Sequence, residues 1–312
     1  MEPIIHGPHV GLVMREACER AMRHMLRLRF KVELEEKGIK ADGSTDWVTR
    51  ADTECQEIIV KLLREHFIDQ LGWGLICEEE RLRLPCQVPD ANIYFTVDPI
   101  DGTSAYGRRV SHGFGPMLSL VQNGEVVAVC IGDATTGELY YYRPNSDKTH
   151  RLIRVGDEVE VVPLAIDPER KLARQYLLLR NVPAKHGDIV KEMCLDLNRG
   201  VSVAEGSIGL SMARLWKGEV GSCVLNAQKI TPWDDTPIIG MSLRLGFHFY
   251  YIRAQKIDRF VPKPSQDITF APCHVLVIHS SRHDELQEWC KNCGLPLSTQ
   301  VEAASDDPTR GL

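Results

Sequence analysis

The stretch Ile93-Tyr94-Phe95-Thr96-Val97-Asp98-Pro99-Ile100-Asp101-Gly102-Thr103 decides how the chain folds and what it can hold. Its first five residues are β-branched or aromatic and run into a turn signal, so 93–97 predicts a strand. Pro99 then fixes φ and removes a backbone donor, which leaves neighbouring carbonyls free to point at a cation. Asp98 and Asp101 can face one point with the Ile100 carbonyl between them. Hard cations such as Mg²⁺ take oxygen ligands of this kind. Gly102 and Thr103 would open a helix, whose first amides lack intrahelical partners and suit an anion. One short segment thus offers both cation ligands and a phosphate cradle.

Two further groups of acids lie outward from it. Glu78-Glu79-Glu80 follows a short apolar strand over 75–77, and Asp234-Asp235 stands behind Pro232-Trp233, ahead of a helix predicted over 237–245. Each feature alone has an ordinary reading. A triple Glu is commonly a solvated charge run, Asp, Pro and Gly are simply favoured in turns, and Asp234 would serve as a helix cap. Their recurrence at strand ends and helix starts points beyond that, although periodicity alone cannot bring them into contact.

Apolar spacing predicts helices over 10–29 and from residue 52 or 53 to 67, with a polar, Gly-containing stretch at 35–46 between them. Beyond the motif the pattern turns to antiparallel strands. Segments 116–121 and 126–131 flank the hairpin signature Asn123-Gly124, followed by 139–142 and by a strand or two within 155–164. After residue 167 the texture alternates: strands at 176–179, 201–203, 220–225, 247–252 and 274–279, and helices at 187–195, 208–216, 237–245 and 284–293. A soft boundary at 165–170 divides the chain into 1–167, carrying the antiparallel sheet and most of the acids, and 168–297, an α/β half. Residues 298–312 read as a loose polar tail.

The 312 residues are enough for a sizeable core. Hydrophobic residues make up 43% and charged residues 26%, with a formal net charge of -6. That balance argues against a nucleic-acid or membrane-surface binder. An acidic protein that handles phosphate esters needs local cations to offset like-charge repulsion. No apolar run reaches the roughly 20 residues that cross a bilayer, and the N-terminus lacks the pattern of a signal peptide. Ten scattered cysteines then read as reduced cytoplasmic thiols. Cys290-Lys291-Asn292-Cys293 has zinc-ligand spacing, but no second pair completes a site.

These motifs, in this order, resemble the inositol monophosphatase family, within the lithium-sensitive, magnesium-dependent phosphatase superfamily that includes fructose-1,6-bisphosphatase. The resemblance rests on Asp98 to Thr103 with Tyr106 three residues on, on Trp233-Asp234, and on Asp46-Trp47-Val48-Thr49-Arg50-Ala51-Asp52. Ile76-Cys77-Glu78-Glu79 and Gly206-Ser207 followed by Lys217-Gly218 complete it. It runs from residue 10 to residue 290. It implies a layered αβαβα sandwich and a water-activated hydrolysis of phosphate monoesters with two or three Mg²⁺, for which Mn²⁺ can substitute. By the same resemblance Glu78, Asp98 and the Ile100 carbonyl hold one cation, and Asp98, Asp101 and Asp234 a second. A third lies near Glu78 and Asp52. Glu78 and Thr103 orient the water, with Thr49 supporting Thr103. The Gly102 and Thr103 amides hold the phosphate, and Gly206, Ser207 and Ile208 line the substrate. Lys37 or Lys40 matches a family Lys near the third cation. The implied partner is a small phosphorylated metabolite, in a cytoplasmic homodimer with no nucleic-acid polymer and no membrane.

Departures from the pattern bear on the substrate. Cys77 replaces the usual Gly before the Glu pair. Asp235-Thr236-Pro237 stands where small residues and Gly normally follow the Trp-Asp pair. Ala227 occupies the position at which inositol-specific members carry a Glu, beside Asn226 and Gln228, and Ile208 is bulkier than the expected Ala. The substrate therefore stays open among inositol monophosphates, 3'-phosphoadenosine 5'-phosphate, fructose 1,6-bisphosphate and other sugar or nucleotide phosphates. Arg108, Arg109 and His112 follow the motif as surface-loop residues within possible reach of a substrate. Phosphatases that form an aspartyl-phosphate are disfavoured, because their two acids stand two residues apart and these stand three apart. A non-catalytic, metal-binding relative is the alternative of another class, and the complete set of expected ligands weighs against it.

Overall fold

A computed structural model describes residues 5–39, 45–227 and 229–302. The helices that matter here are α1 (Gly7–Leu28), α2 (Arg50–Leu63), α3 (Thr103–Gly107), α4 (Asp188–Glu192), α5 (Ile208–Trp216), α6 (Pro232–Arg244) and α7 (His283–Asn292). The strands are β1 (Glu35–Ile39), β2 (Thr45–Val48), β3 (Gly74–Cys77), β4 (Ile93–Asp101), β5 (Gly115–Gln122), β6 (Glu125–Asp133), β7 (Glu138–Tyr142), β8 (His150–Val155) and β9 (Glu158–Pro163). Then come β10 (Tyr176–Leu179), β11 (Gly200–Val203), β12 (Ser222–Leu225), β13 (Phe247–Arg253), β14 (Lys256–Phe260), β15 (His274–His279) and β16 (Leu297–Glu302).

Two large sheets carry the fold. The first has eight strands in the order β9-β8-β7-β6-β5-β4-β3, closed by the short edge strand Arg83–Leu84. The second has seven, in the order β11-β10-β12-β15-β13-β14-β16. Strand side chains alternate between faces, and that alternation builds three large cores and a small one of Ile76, Tyr94, Val121 and Trp233. In β6, Ala128 and Cys130 point to a core shared with Val13, Ala17, Met25, Ile59 and Leu63 of α1 and α2. Val129 and Ile131 point the other way, onto Met212 and Trp216 of α5, Ile238 and Met241 of α6, and the near face of the second sheet at Leu178, Phe249, Val275 and Val277. The far face of that sheet, through Leu177, Leu179, Leu276 and Ile278, packs on Val190, Leu286 and Trp289. The layers are therefore helix, sheet, helix, sheet, helix. The two halves of the chain share the middle core, so α5 and α6 are clamped between both sheets.

Three expectations change. The helix expected from Pro237 begins at Pro232, and Pro237 lies inside it. A proline suits the first helical turn, where its missing N–H would be unpaired anyway; Pro232 takes that place, and Pro237 forgoes one bond further on. The polar stretch after α1 contains a β1–β2 hairpin. Residues 298–302, read as the start of a loose tail, belong to β16, which runs parallel to β14 with Ile257 opposite Leu297. Residues 303–312, Lys40 and Gln228 lie outside the described residues, and of Asp46 and Trp47 only the backbone is described. Among the described residues no helix is long and apolar enough to cross a membrane.

Candidate metal centre

β3 and β4 are parallel neighbours with Cys77 opposite Val97, and the Glu78 amide donates to the Val97 carbonyl at 3.1 Å. Glu78 is thereby set beside Asp98. Three residues apart on a regular strand, Asp98 and Asp101 would point to opposite faces. The β4–β5 register shifts between them: Asp98 opposes Met117 and Asp101 opposes Gly115. One extra residue on β4 makes a bulge, which turns both carboxylates to one side. Pro99, which has no N–H to give to the ladder, stands inside it. The Asp98 Oδ1 accepts the Ile100 N–H at 2.9 Å and holds the turn.

Asp101 meets the start of α5. It accepts the Ser207 hydroxyl, the Ile208 amide at 3.1 Å and the Gly209 amide at 2.8 Å. The carboxylate thus pairs with amides that a helix N-terminus leaves without partners. Gly102 follows at φ 91°, where a β-carbon would stand 2.3 Å from the Gly113 oxygen and 2.8 Å from the Ser207 nitrogen. Only glycine lets these three segments close together. Asp234 arrives from the first turn of α6, its Oδ2 accepting the Thr231 hydroxyl at 2.5 Å. Carboxylate oxygens of Asp98, Asp101 and Asp234 lie within 4.8 Å of one another.

The chemistry of this donor set fits a divalent cation. Burial first, then Glu78, Asp234 and Asp101, drives the Asp98 carboxyl well above the usual carboxylate range. Burial and the charge of Asp234 push Glu78 up to about 8. Burial and Asp234 likewise lift Asp101 to about 6, against the bonds from Ser207 and Gly209. Asp235, next in sequence, reaches about 7 through burial and Asp234. Charges this close relax by taking up protons or a cation. Lys37 is mainly engaged elsewhere: its Nζ sits 2.9 Å from both oxygens of Glu79 and 3.7 Å from Glu78.

Behind the acids stands a relay of hydroxyls. Thr49 caps α2 in a reciprocal capping box with Asp52. Its amide and hydroxyl reach Asp52 Oδ2 at 2.8 and 2.6 Å. Asp52 Oδ1 and the Ile100 carbonyl each lie 3.0 Å from the Thr103 hydroxyl. The expected support of Thr103 by Thr49 is therefore indirect, through Asp52. Of the triple Glu, Glu78 joins the centre and Glu80 is exposed. Glu79 is 5% exposed and is held through its backbone by the Gln56 carboxamide as well as by Lys37. Sequence reasoning missed Glu79 and Arg180. The guanidinium of Arg180 donates to the Gly206 and Ser207 carbonyls and to the Ser211 hydroxyl at 2.6–2.8 Å. The available signal was a charge placed directly after the buried run Leu177-Leu178-Leu179.

The sequence model of the inositol monophosphatase family matches residues 10–236. The inositol-1-monophosphatase of Caulobacter vibrioides is 29% identical over 129 residues, 41% of this chain and 47% of that protein. The matches reach only 34–47% of the length of the curated relatives. The extragenic suppressor protein suhB from Bartonella henselae superposes with a TM-score of 0.65 at 19% identity, covering 89% of this chain and 96% of that one. An IMPase/NADP phosphatase complexed with Mg²⁺ and phosphate gives 0.63 at 17% identity, covering 90% and 94%. The layered αβαβα architecture is the one these solved structures share.

Proposed function

The chain belongs to the inositol monophosphatase family, and from that premise we propose that it hydrolyses phosphate monoesters of a small polyol, sugar or nucleotide with Mg²⁺. The observation that carries the reading is the convergence of Asp98, Asp101 and Asp234 within 4.8 Å, on elements from both halves of the chain. Glu78, Asp98 and the Ile100 carbonyl would hold one cation, and Asp98, Asp101 and Asp234 another. When bound, such cations act as Lewis acids that polarise the phosphoryl group and make water a better nucleophile.

The chain's own residues supply the rest. Asp52 and the Ile100 carbonyl compete for the Thr103 hydroxyl proton, which leaves the Thr103 oxygen to accept from a water. The Glu78 carboxylate accepts the same water's other proton, so the water's lone pair is aimed at phosphorus. The Gly102 and Thr103 amides bind a phosphate oxygen, and the Ser207 hydroxyl holds Asp101 in place.

The test is a metal-dependent assay on p-nitrophenyl phosphate and on a panel of inositol, fructose and 3'-phosphoadenosine phosphates, with and without Li⁺. Asp98→Asn should lower turnover by more than the roughly 10–100-fold that loss of an outer-shell partner costs a metal site, with the fold retained. Near-normal activity of a folded Asp98→Asn protein at saturating Mg²⁺ would overturn the assignment. Absence of turnover by the wild type on every ester would favour a non-catalytic, metal-binding relative.

A further inference from the structure

Arg180 follows β10 directly, at the end of the buried run Leu177-Leu178-Leu179. Its guanidinium reaches the turn that opens α5. Nη1 donates to the Ser207 carbonyl at 2.8 Å and to the Ser211 hydroxyl at 2.7 Å, and Nη2 donates to the Gly206 carbonyl at 2.6 Å. All three acceptors are neutral, so these hydrogen bonds go to the turn and not to the acids. A cation at the N-terminus of a helix opposes the helix dipole. Its place there calls for an offsetting gain, and the geometry of the turn supplies one.

A trans peptide unit points its C=O and its N–H in opposite directions. The Ser207 carbonyl and the Ile208 amide belong to one such unit, and the Gly206 carbonyl and the Ser207 amide to the one before it. Arg180 holds both carbonyls from one side. On the other side Asp101 accepts the Ile208 amide at 3.1 Å, and the Gly113 carbonyl accepts the Ser207 amide at 2.8 Å. The Ser207 hydroxyl accepts the Leu210 amide at 2.9 Å as the cap of α5 and donates to Asp101. The Ser211 hydroxyl, itself gripped by Arg180, donates to the Ser207 carbonyl at 2.7 Å. A planar guanidinium carries its donors in a rigid fork, which suits two successive carbonyls as a point-like ammonium does not.

We propose that Arg180 is a positioning residue for the cation shared by Asp98, Asp101 and Asp234. By fixing the two peptide units it aims the Ile208 amide and the Ser207 hydroxyl at Asp101, and so turns that carboxylate toward the other two acids. The proposal rests on the metal-dependent phosphatase reading and deepens it by naming a residue that sets cation affinity from behind a ligand. The sign of the effect separates this role from its rivals. A charge acting by Coulomb force alone repels the bound cation, so its removal would tighten binding. A purely structural residue would lower thermal stability and leave the affinity of the folded molecule unchanged. A positioning fork weakens binding when it is lost, and Lys, which keeps the charge without the fork, does not replace it.

The experiment titrates the full chain with Mn²⁺, counting the free ion by electron paramagnetic resonance with no ester present, beside an assay on p-nitrophenyl phosphate. Asp98→Asn identifies the binding that belongs to the acidic centre. Arg180→Met and Arg180→Lys should each raise the Mn²⁺ dissociation constant of that centre about 10–100-fold, the range for loss of an outer-shell partner. Ser211→Ala, which removes one acceptor and leaves both carbonyls gripped, should raise it less. A folded Arg180→Met protein that binds Mn²⁺ as tightly as the wild type, or more tightly, would overturn the proposal. So would an Arg180→Lys protein with wild-type affinity, since charge and not the fork would then be the active property. If neither Arg180 variant folds, unchanged affinity in Ser211→Ala refutes it. A wild type that binds Mn²⁺ through Asp98 yet hydrolyses no ester removes the phosphatase reading and leaves the role of Arg180 standing. A wild type without Asp98-dependent binding removes the metal centre, and the proposal with it.

Discussion

Gly102 carries more of the site than its size suggests. Its φ of 91° and the 2.3 Å separation between a β-carbon and the Gly113 oxygen act together. The left-handed conformation alone costs an L-residue about 1–2 kcal/mol. The clash adds to this by prising apart the Ser207-to-Gly113 bond, 2.8 Å long, which seats α5 against the motif. Gly124 separates the two effects, because its φ is 83° but nothing lies within 4 Å of its β-carbon. Gly124→Ala should therefore lower thermal stability by the conformational cost alone and leave turnover intact, while Gly102→Ala should lower stability further and abolish turnover. Equal behaviour of the two variants, in melting temperature and in kcat, would show that Gly102 is only a turn residue. At this scale Asp98, Asp101, Asp234 and Glu78 drew notice as acids at strand ends and helix starts, but only the family resemblance joined them into one site. Arg180 was not legible, since its meaning depends on a strand, a loop and a helix start that meet only in space.

Among the elements, those whose apolar spacing is unbroken were read well. The expected helix at 208–216 is α5 as it stands, and the Asn123-Gly124 hairpin joins β5 to β6. Errors fell where local rules compete. Pro232 and Pro237 both satisfy the preference for proline at a helix start, and only the docking of Trp233 and Asp234 onto the first sheet decides between them. β16 was missed because no strongly apolar run marks 297–302 and its support comes from β14. The Ile257 amide donates to the Pro296 carbonyl at 2.9 Å, where the two strands begin to pair. Removing residues 297–312 should open the edge of β14, where Ile257 and Asp258 are now 0% and 2% exposed. We expect a loss of about 1–3 kcal/mol, read as a fall in melting temperature of roughly 2–4 °C per kcal/mol. Turnover per folded molecule should persist, since β16 lies at the edge of the second sheet opposite β10 and β11. Unchanged melting would mean that the β14–β16 pairing adds nothing.

For the whole molecule, the acidic centre is where the two sheets and the helices between them meet, so its charge state reports on the entire fold. In the metal-free protein the folded pKa of Glu78 is about 8, that of Asp235 about 7 and that of Asp101 about 6, all above the 3.8–4.5 of free carboxyls. Between pH 6 and pH 8.5 these acids therefore bind more protons in the folded chain than in the unfolded one, and their contribution to the unfolding free energy falls as pH rises. That stabilisation is fully present below the unfolded pKa values and is gone once pH has passed the folded ones. Divalent cations favour the ionised carboxylates and should cancel the decline. A cation at one hundred times its dissociation constant adds about 2.7 kcal/mol, or roughly 5–10 °C for a chain of this size. The Mg²⁺-induced rise in melting temperature should be larger at pH 8 than at pH 6, and Asp98→Asn should weaken it while leaving the metal-free protein at pH 8 no less stable than the wild type. A rise independent of pH, or one that survives intact in Asp98→Asn, would place the cation elsewhere. Because Asp98 and Asp101 belong to the first sheet and Asp234 to the helix layer between the sheets, a cation they share ties together layers built from both halves of the chain.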